Sequence, residues 1–236
     1  MSSITAQLAA NVQGIRARMA DAAARVGRAA SDVRLIAVTK YVDPPLAQAL
    51  VELGELDLGE SRPQELWRKI ETLGPLAATV RWHFIGHLQR NKLDRTLEHT
   101  SLLHSGDSLR LLEAINAFGP SHQRRIATLV EVNISGDATK HGFKPDELSA
   151  LGERLDKLAN IEIRGLMGMS SLEGSADDAR REFAALRTLR DQLRSTWPAS
   201  CDLRELSMGM SDDFEAAIEE GSTCVRIGSA LFEGLR

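Results

Sequence analysis

The sequence predicts a single closed (β/α)8 barrel of the TIM type, with one extra helix ahead of the first strand. Three observations carry this. Short apolar runs alternate with amphipathic helical stretches about eight times, and strands alternating with helices build parallel sheets. The 236 residues suit such a barrel, which typically takes about 250. An open doubly wound sheet would need a glycine-rich dinucleotide turn after its first strand, and this chain reads AVTKYVDPP there. Residues 1–236 are therefore expected to form one domain.

The elements follow in order. Residues 3 to 27 carry Ile4, Leu8, Val12, Ile15 and Met19 near helical spacing. Leu35 to Val38 is a buried strand, and Pro44 to Leu53 a helix with proline in its first turn. Leu56 to Leu58 is an apolar run ending at Gly59, and Pro63 to Leu73 is helical. Val80 to Ile85 is a strand and Leu88 to Leu97 a helix. Ser101 to His104 is a strand, followed by a helix from Ser108 to Phe118 with Asp107 as its cap. Ile126 to Ile134 is a longer strand, and Pro145 to Leu158 a helix. Ile161 to Met167 precedes a long helix from about Asp177 to Ser195, whose mixed charges fit a solvated face. DLRELSMGM is a strand running into a turn, and Asp212 to Glu220 a helix behind Ser211 as cap. TCVRIG is the last strand and SALFEGL a closing helical turn.

Composition narrows the partners. A net charge of −4 gives no basic footprint for nucleic acid or an anionic membrane. Aromatics at 4% leave no base-stacking platform. Two cysteines, Cys201 and Cys224, are too few for a disulfide framework and are read as reduced thiols of a cytoplasmic protein. The N-terminus lacks the apolar core of a signal peptide, and no apolar run reaches the ~20 residues of a membrane span. His83 and His87 are four apart, but the strand reading of RWHFIG and Gly86 puts them on no common helical face, so no metal site is expected. The other histidines and the three tryptophans are read as packing or exposed groups.

In a barrel the chemistry lies where strands end. The strand ends here supply Lys40, Ser61, His83, Asn133, Ser207, Gly209, Ser211, Arg226, Gly228 and Ser229. Barrels often bind phosphate with the loops after strands seven and eight, here SMGMSDD and RIGSALFEG. Glycines permit close backbone approach, and free N–H groups attract an anion. A lysine facing a phosphate site suggests a Schiff base, either with a sugar-phosphate carbonyl or with pyridoxal phosphate. Arg226 helps to choose between them. Two residues before Gly228, it shares the face of that loop, and a guanidinium beside a pyridine nitrogen donates a hydrogen bond and keeps the nitrogen unprotonated.

The segments IAVTKYV, LGES, PQEL, WHFIGHLQRNK, VNISGDATKHGF, RGLMGM and LSMGMSDDFEAAIEEGSTCVRIGSALFEG together resemble the YggS/PROSC-type pyridoxal phosphate homeostasis proteins, from about residue 7 to 235. The resemblance implies a fold-type III barrel similar to the N-terminal domain of alanine racemase. It implies pyridoxal 5′-phosphate (PLP) on Lys40, phosphate contacts at Ser207, Gly228 and Ser229 with Met208 and Gly209 in the same loop, and Arg226 near the pyridine nitrogen. It places His83 and Asn133 close to the cofactor. Ser61 departs from the pattern, since most members carry asparagine there, and serine offers a shorter hydroxyl. The expected function is intracellular PLP homeostasis without established turnover, with PLP-dependent apoenzymes as partners. The alternative is a racemase-type enzyme acting on amino acids. A lone barrel makes a monomer the default.

Overall fold

The computed structural model describes residues 3–171 and 174–235. Each apolar run pairs with the next in parallel: β1 (Arg34–Val38), β2 (Asp57–Glu60), β3 (Arg81–Phe84), β4 (Thr100–Gly106), β5 (Ile126–Val132), β6 (Ile161–Gly168), β7 (Glu205–Ser207) and β8 (Cys224–Ile227). The sheet closes because β8 returns to β1, with Ile36 opposite Arg226. Helices α1 (Ser3–Arg25), α2 (Pro44–Glu52), α3 (Pro63–Leu73), α4 (Leu93–Leu97), α5 (Leu109–His122), α6 (Leu148–Leu155), α7 (Ala176–Thr196) and α8 (Phe214–Glu219) surround it. The expected (β/α)8 barrel with an extra first helix is the fold observed.

Side chains alternate across a strand, and the two faces divide the molecule. Outward residues such as Leu35, Ala37, Leu58, Trp82 and Phe84 join Leu50, Leu66, Leu186 and Phe214 of the helices in one large core. Each large apolar side chain buried there contributes about 1.5–3 kcal/mol. The inward apolar cluster is small: Leu102, Ala127, Leu129 and Met167, with Met169 against it. Ile36, Val38 and Cys224 also face inward, and much of the remaining interior is polar, with Asp57, His83, His104, Glu131, Ser207 and Arg226 all buried.

Four local expectations are corrected. Ile4 lies in the first turn of α1, where it is exposed, while Leu8, Val12, Ile15 and Met19 are buried as expected. The cap of α5 is Ser108, whose Oγ accepts from the Leu111 N–H; Asp107 instead pairs with His87. The predicted helix from Leu88 reduces to a 3-10 turn (Arg90–Lys92) and the short α4. Ser211 does not cap α8, which begins at Phe214 behind Asp213. Both cysteines are free, and Cys224 is fully buried. No described helix is long and apolar enough to cross a membrane.

Candidate functional site

Strand parity carried past the C-terminal ends of β1, β2, β6 and β8 brings Lys40, Ser61, Met169 and Gly228 to the barrel mouth. They line a cavity of about 310 Å3 together with Arg226 and Ser229. Met210, Ser211 and Asp212 of the expected phosphate loop also line it, and its remaining walls, Val38, Tyr41 and Ile85, are not among the binding residues expected from the sequence. A larger surface groove, about 420 Å3 between Leu109, Phe143 and Leu151, does not include Lys40.

Lys40 sits in a turn held from outside the barrel. The Thr39 N–H continues the ladder to the Gly59 carbonyl (2.9 Å), and the Thr39 carbonyl accepts from Val42 N–H (3.1 Å). That carbonyl also accepts from Lys69 Nζ of α3 at 2.7 Å. Lys69 Nζ in turn meets Glu60 Oε1 at 2.5 Å, and the Thr39 hydroxyl donates to the same oxygen. Thr39, Glu60 and Lys69 are fully buried. Their ion pair fixes the peptide that presents Lys40 to the cavity. The Lys40 ammonium lies 5.0 Å from the centre of the exposed Tyr41 ring, which Arg62 also approaches.

Arg226 is buried at the cavity floor. Its Nη1 donates to Ser207 Oγ at 2.6 Å and its Nη2 to the Gly168 carbonyl at 3.0 Å. Burial lowers its pKa from the usual arginine value, and the Glu131 and Asp213 carboxyls oppose this. A guanidinium starting so high stays charged. Ser207 and Met208 are fully buried. Ser207 lies beneath Arg226 and Met208 is in the outer core. Gly209 turns the backbone just after β7. It has φ +93°, and a Cβ there would lie 2.6 Å from the Ala217 Cβ, so the close approach of this loop to α8 requires glycine. Its carbonyl accepts from the Arg226 N–H.

The loops after β7 and β8 meet at Ser211, whose Oγ accepts from the N–H groups of Gly228 (3.3 Å) and Ala230 (3.4 Å). Ser211, a helix cap by its sequence position, therefore ties the loop after β7 to Gly228 and Ala230 and lines the cavity with Gly228 and Ser229. Asp213 braces the loop after β7, accepting from Met210 N–H and from the Ser170 hydroxyl. Asn133 is not on the cavity wall; its side chain closes its own loop, with Nδ2 donating to the Asp137 carbonyl. His83 is inside the barrel, bonded to Asp57 and His104.

Two further groups lie beside these. Glu131 of β5 is buried, and burial, reinforced by Asp107, pushes its carboxyl up to about 7 against the opposing pull of Arg226 and His87. His87 is paired not with His83 but with Asp107, Nδ1 to Oδ2 at 2.6 Å, and stacks on His141.

Residues 5–235 match the family described as alanine racemase, N-terminal domain. The pyridoxal phosphate homeostasis protein of Aquifex aeolicus is 38% identical over 215 residues, covering 91% of this chain and 92% of that one. The protein of the same name from Escherichia coli K12 is 34% identical, covering 95% of each. The structure of PipY from Synechococcus elongatus PCC7942 with PLP bound superposes with a TM-score of 0.81 at 33% identity, covering 92% of this chain and 99% of that one. Fold, sequence and the share of each chain covered agree, and the chain belongs to the pyridoxal phosphate homeostasis proteins, a family built on the alanine racemase N-terminal domain.

Proposed function

We propose that this protein binds PLP in the cavity at the barrel mouth, anchored on Lys40, and serves PLP homeostasis without turnover. One observation carries the reading: a single cavity is lined by an amine, Lys40, a guanidinium, Arg226, and the N–H and hydroxyl groups of Ser211, Gly228 and Ser229. PLP presents an aldehyde, a pyridine nitrogen and a phosphate, and when bound supplies an electron-withdrawing ring at the aldehyde carbon. The residues fit those three groups. Lys40 is the amine for the aldehyde. Ser229 and Ser211 hold the phosphate through N–H and hydroxyl donors, and Gly228, whose N–H donates to Ser211 Oγ, lets the backbone come close to it. Arg226, already donating to Ser207 and Gly168, turns its remaining N–H groups to the ring nitrogen and keeps it unprotonated. Ser61 faces the same space from β2, where its hydroxyl orients ring substituents. The PLP-bound PipY structure supports the assignment by relationship.

The non-catalytic part of the reading rests on Arg226. A cation at the ring nitrogen weakens the ring as an electron sink, which suits holding PLP and exchanging it with PLP-dependent apoenzymes. The proposed form is a monomeric cytoplasmic barrel. The second reading, a racemase-type enzyme, is favoured by the family match to the racemase domain. Incubation with amino acids in D2O separates them: no sustained α-hydrogen exchange is expected, and turnover lost in Lys40→Ala would overturn the carrier.

The binding site is tested by the visible spectrum of PLP-loaded protein before and after borohydride, with mapping of the modified peptide. The visible band is expected to vanish on reduction, leaving a pyridoxyl adduct on Lys40. Lys40→Ala is expected to lose the band while keeping its far-UV circular dichroism. An unchanged band in that variant would overturn the anchor.

A further inference from the structure

A line of hydrogen bonds crosses the barrel interior from its floor to Arg226. Arg81 holds Asp57 at the floor, Nε to Oδ1 at 2.8 Å. Asp57 Oδ1 meets His83 Nε2 at 2.9 Å. His83 Nδ1 meets His104 Nε2 at 3.0 Å, and His104 Nδ1 meets Ser207 Oγ at 2.8 Å. Arg226 Nη1 donates to that same Ser207 oxygen at 2.6 Å. Asp57, His83, His104, Ser207 and Arg226 are all buried, so water does not stand in for a missing partner.

The chemistry of the two ends fixes the direction of the whole line. Arg226 can only donate and an ionised Asp57 can only accept. Burial opposes the Asp57 charge, but hydrogen bonds from Arg81 and His83 outweigh it and hold the carboxyl well below the usual range. Burial lowers the pKa of His83, and that of His104 further, so both rings are neutral at neutral pH. Each neutral ring has one donor and one acceptor nitrogen. Working from Asp57, His83 must carry its proton on Nε2 and accept on Nδ1. His104 must then donate from Nε2 and accept on Nδ1, and the Ser207 hydroxyl must donate to His104. That leaves the Ser207 oxygen free to accept from Arg226. The reverse order would give the Ser207 oxygen two donors, leave its own proton only the weakly accepting Cys224 sulfur beside it, and set an acceptor nitrogen of His83 against the Asp57 carboxylate.

We propose that Asp57, His83 and His104 are positioning residues for Arg226: they lock the Ser207 hydroxyl as its acceptor and thereby fix the guanidinium at the cofactor site. The role toward the cofactor rests on the proposed PLP function; the proton order does not.

The test reads both. Nitrogen-15 spectra of histidine-labelled, cofactor-free protein should show His83 and His104 as neutral Nε2–H tautomers. Asp57→Asn replaces the carboxylate, which can only accept, by a neutral amide that can accept or donate, so the His83 proton is no longer fixed on Nε2 and both rings should shift from that form. In PLP-loaded protein, Asp57→Asn and Ser207→Ala should both shift the pH at which the visible band changes. Should Asp57→Asn not fold, His83→Gln cuts the same line one link closer to Arg226 and is expected to give the same shift. An Nδ1–H tautomer at either histidine of the wild type would overturn the ordered line. A shift in Ser207→Ala alone, or in none of the variants, would overturn the positioning role. A protein that takes up no PLP would sink the proposed function and leave the tautomers to decide the line.

Discussion

Replacing Lys69 by methionine should cost about 3–5 kcal/mol, the usual penalty for removing one partner of a buried ion pair. Lys69 and Glu60 are both fully buried, and no water can take the place of the lost ammonium. The Glu60 carboxylate would keep only the Thr39 hydroxyl, and its Oε2 already has no partner. The Thr39 carbonyl would also lose a donor one peptide bond before Lys40. Removing both charges with Lys69→Met and Glu60→Leu should recover most of the loss, because well-packed apolar pairs often match buried ion pairs. Urea unfolding of the singles and the double checks this by a double-mutant cycle. Strictly additive losses would show that the two residues do not act as a unit.

The second large effect is a pH dependence. The Glu131 carboxyl, raised from 4.5 to about 7 in the fold, holds a proton there that the unfolded chain releases. Its contribution to stability is fully present below about 4.5 and lost as pH rises through about 7. With 1.36 kcal/mol per unit, the swing is about 3 kcal/mol. Glu131→Gln removes this titration. The variant should therefore gain stability relative to wild type by that amount between about pH 4.5 and 8, whatever constant offset the amide brings. Asp107, His87 and Arg226, the charged neighbours that act on Glu131, are present in both proteins. His83 and His104 stay neutral in the fold and lose stability on acidification below about 6.5, but they too cancel in the difference. Parallel profiles across the range would show that Glu131 is solvated in the native state.

The sequence was most informative where two signals coincided. Pro63 and Gly74 bracket an amphipathic run, and α3 fills that interval. Leu88 to Lys92 reads as the start of a helix but carries no side-chain cap, and there only the 3-10 turn Arg90–Lys92 forms ahead of α4. At the site, Lys40, Arg226 and Gly228 are legible because a period of two tells which face a strand residue uses, and Ser229 because it follows Gly228 in the last loop. The same period does not tell depth. His83 and Ser207 share the inward face with Lys40, yet lie a layer or more below the mouth, because depth follows from strand tilt and stagger around the closed sheet. Tyr41, Met210 and Asp212 lie in turns with no period to read. Lys69 was illegible for another reason: a lysine on an amphipathic helix reads as solvated, and only the fold shows the carboxylate waiting for it.

The polar filling of the barrel has a consequence for how the sequence can drift. An oily interior accepts substitutions one at a time if volume is kept. Here positions 57, 83, 104, 207 and 226 form one donor-to-acceptor series. A change at any of them leaves a neighbour with a proton it cannot give or a lone pair it cannot fill. Related chains should therefore exchange these residues as a set, through rare concerted steps, while the apolar outer face of the same strands changes freely.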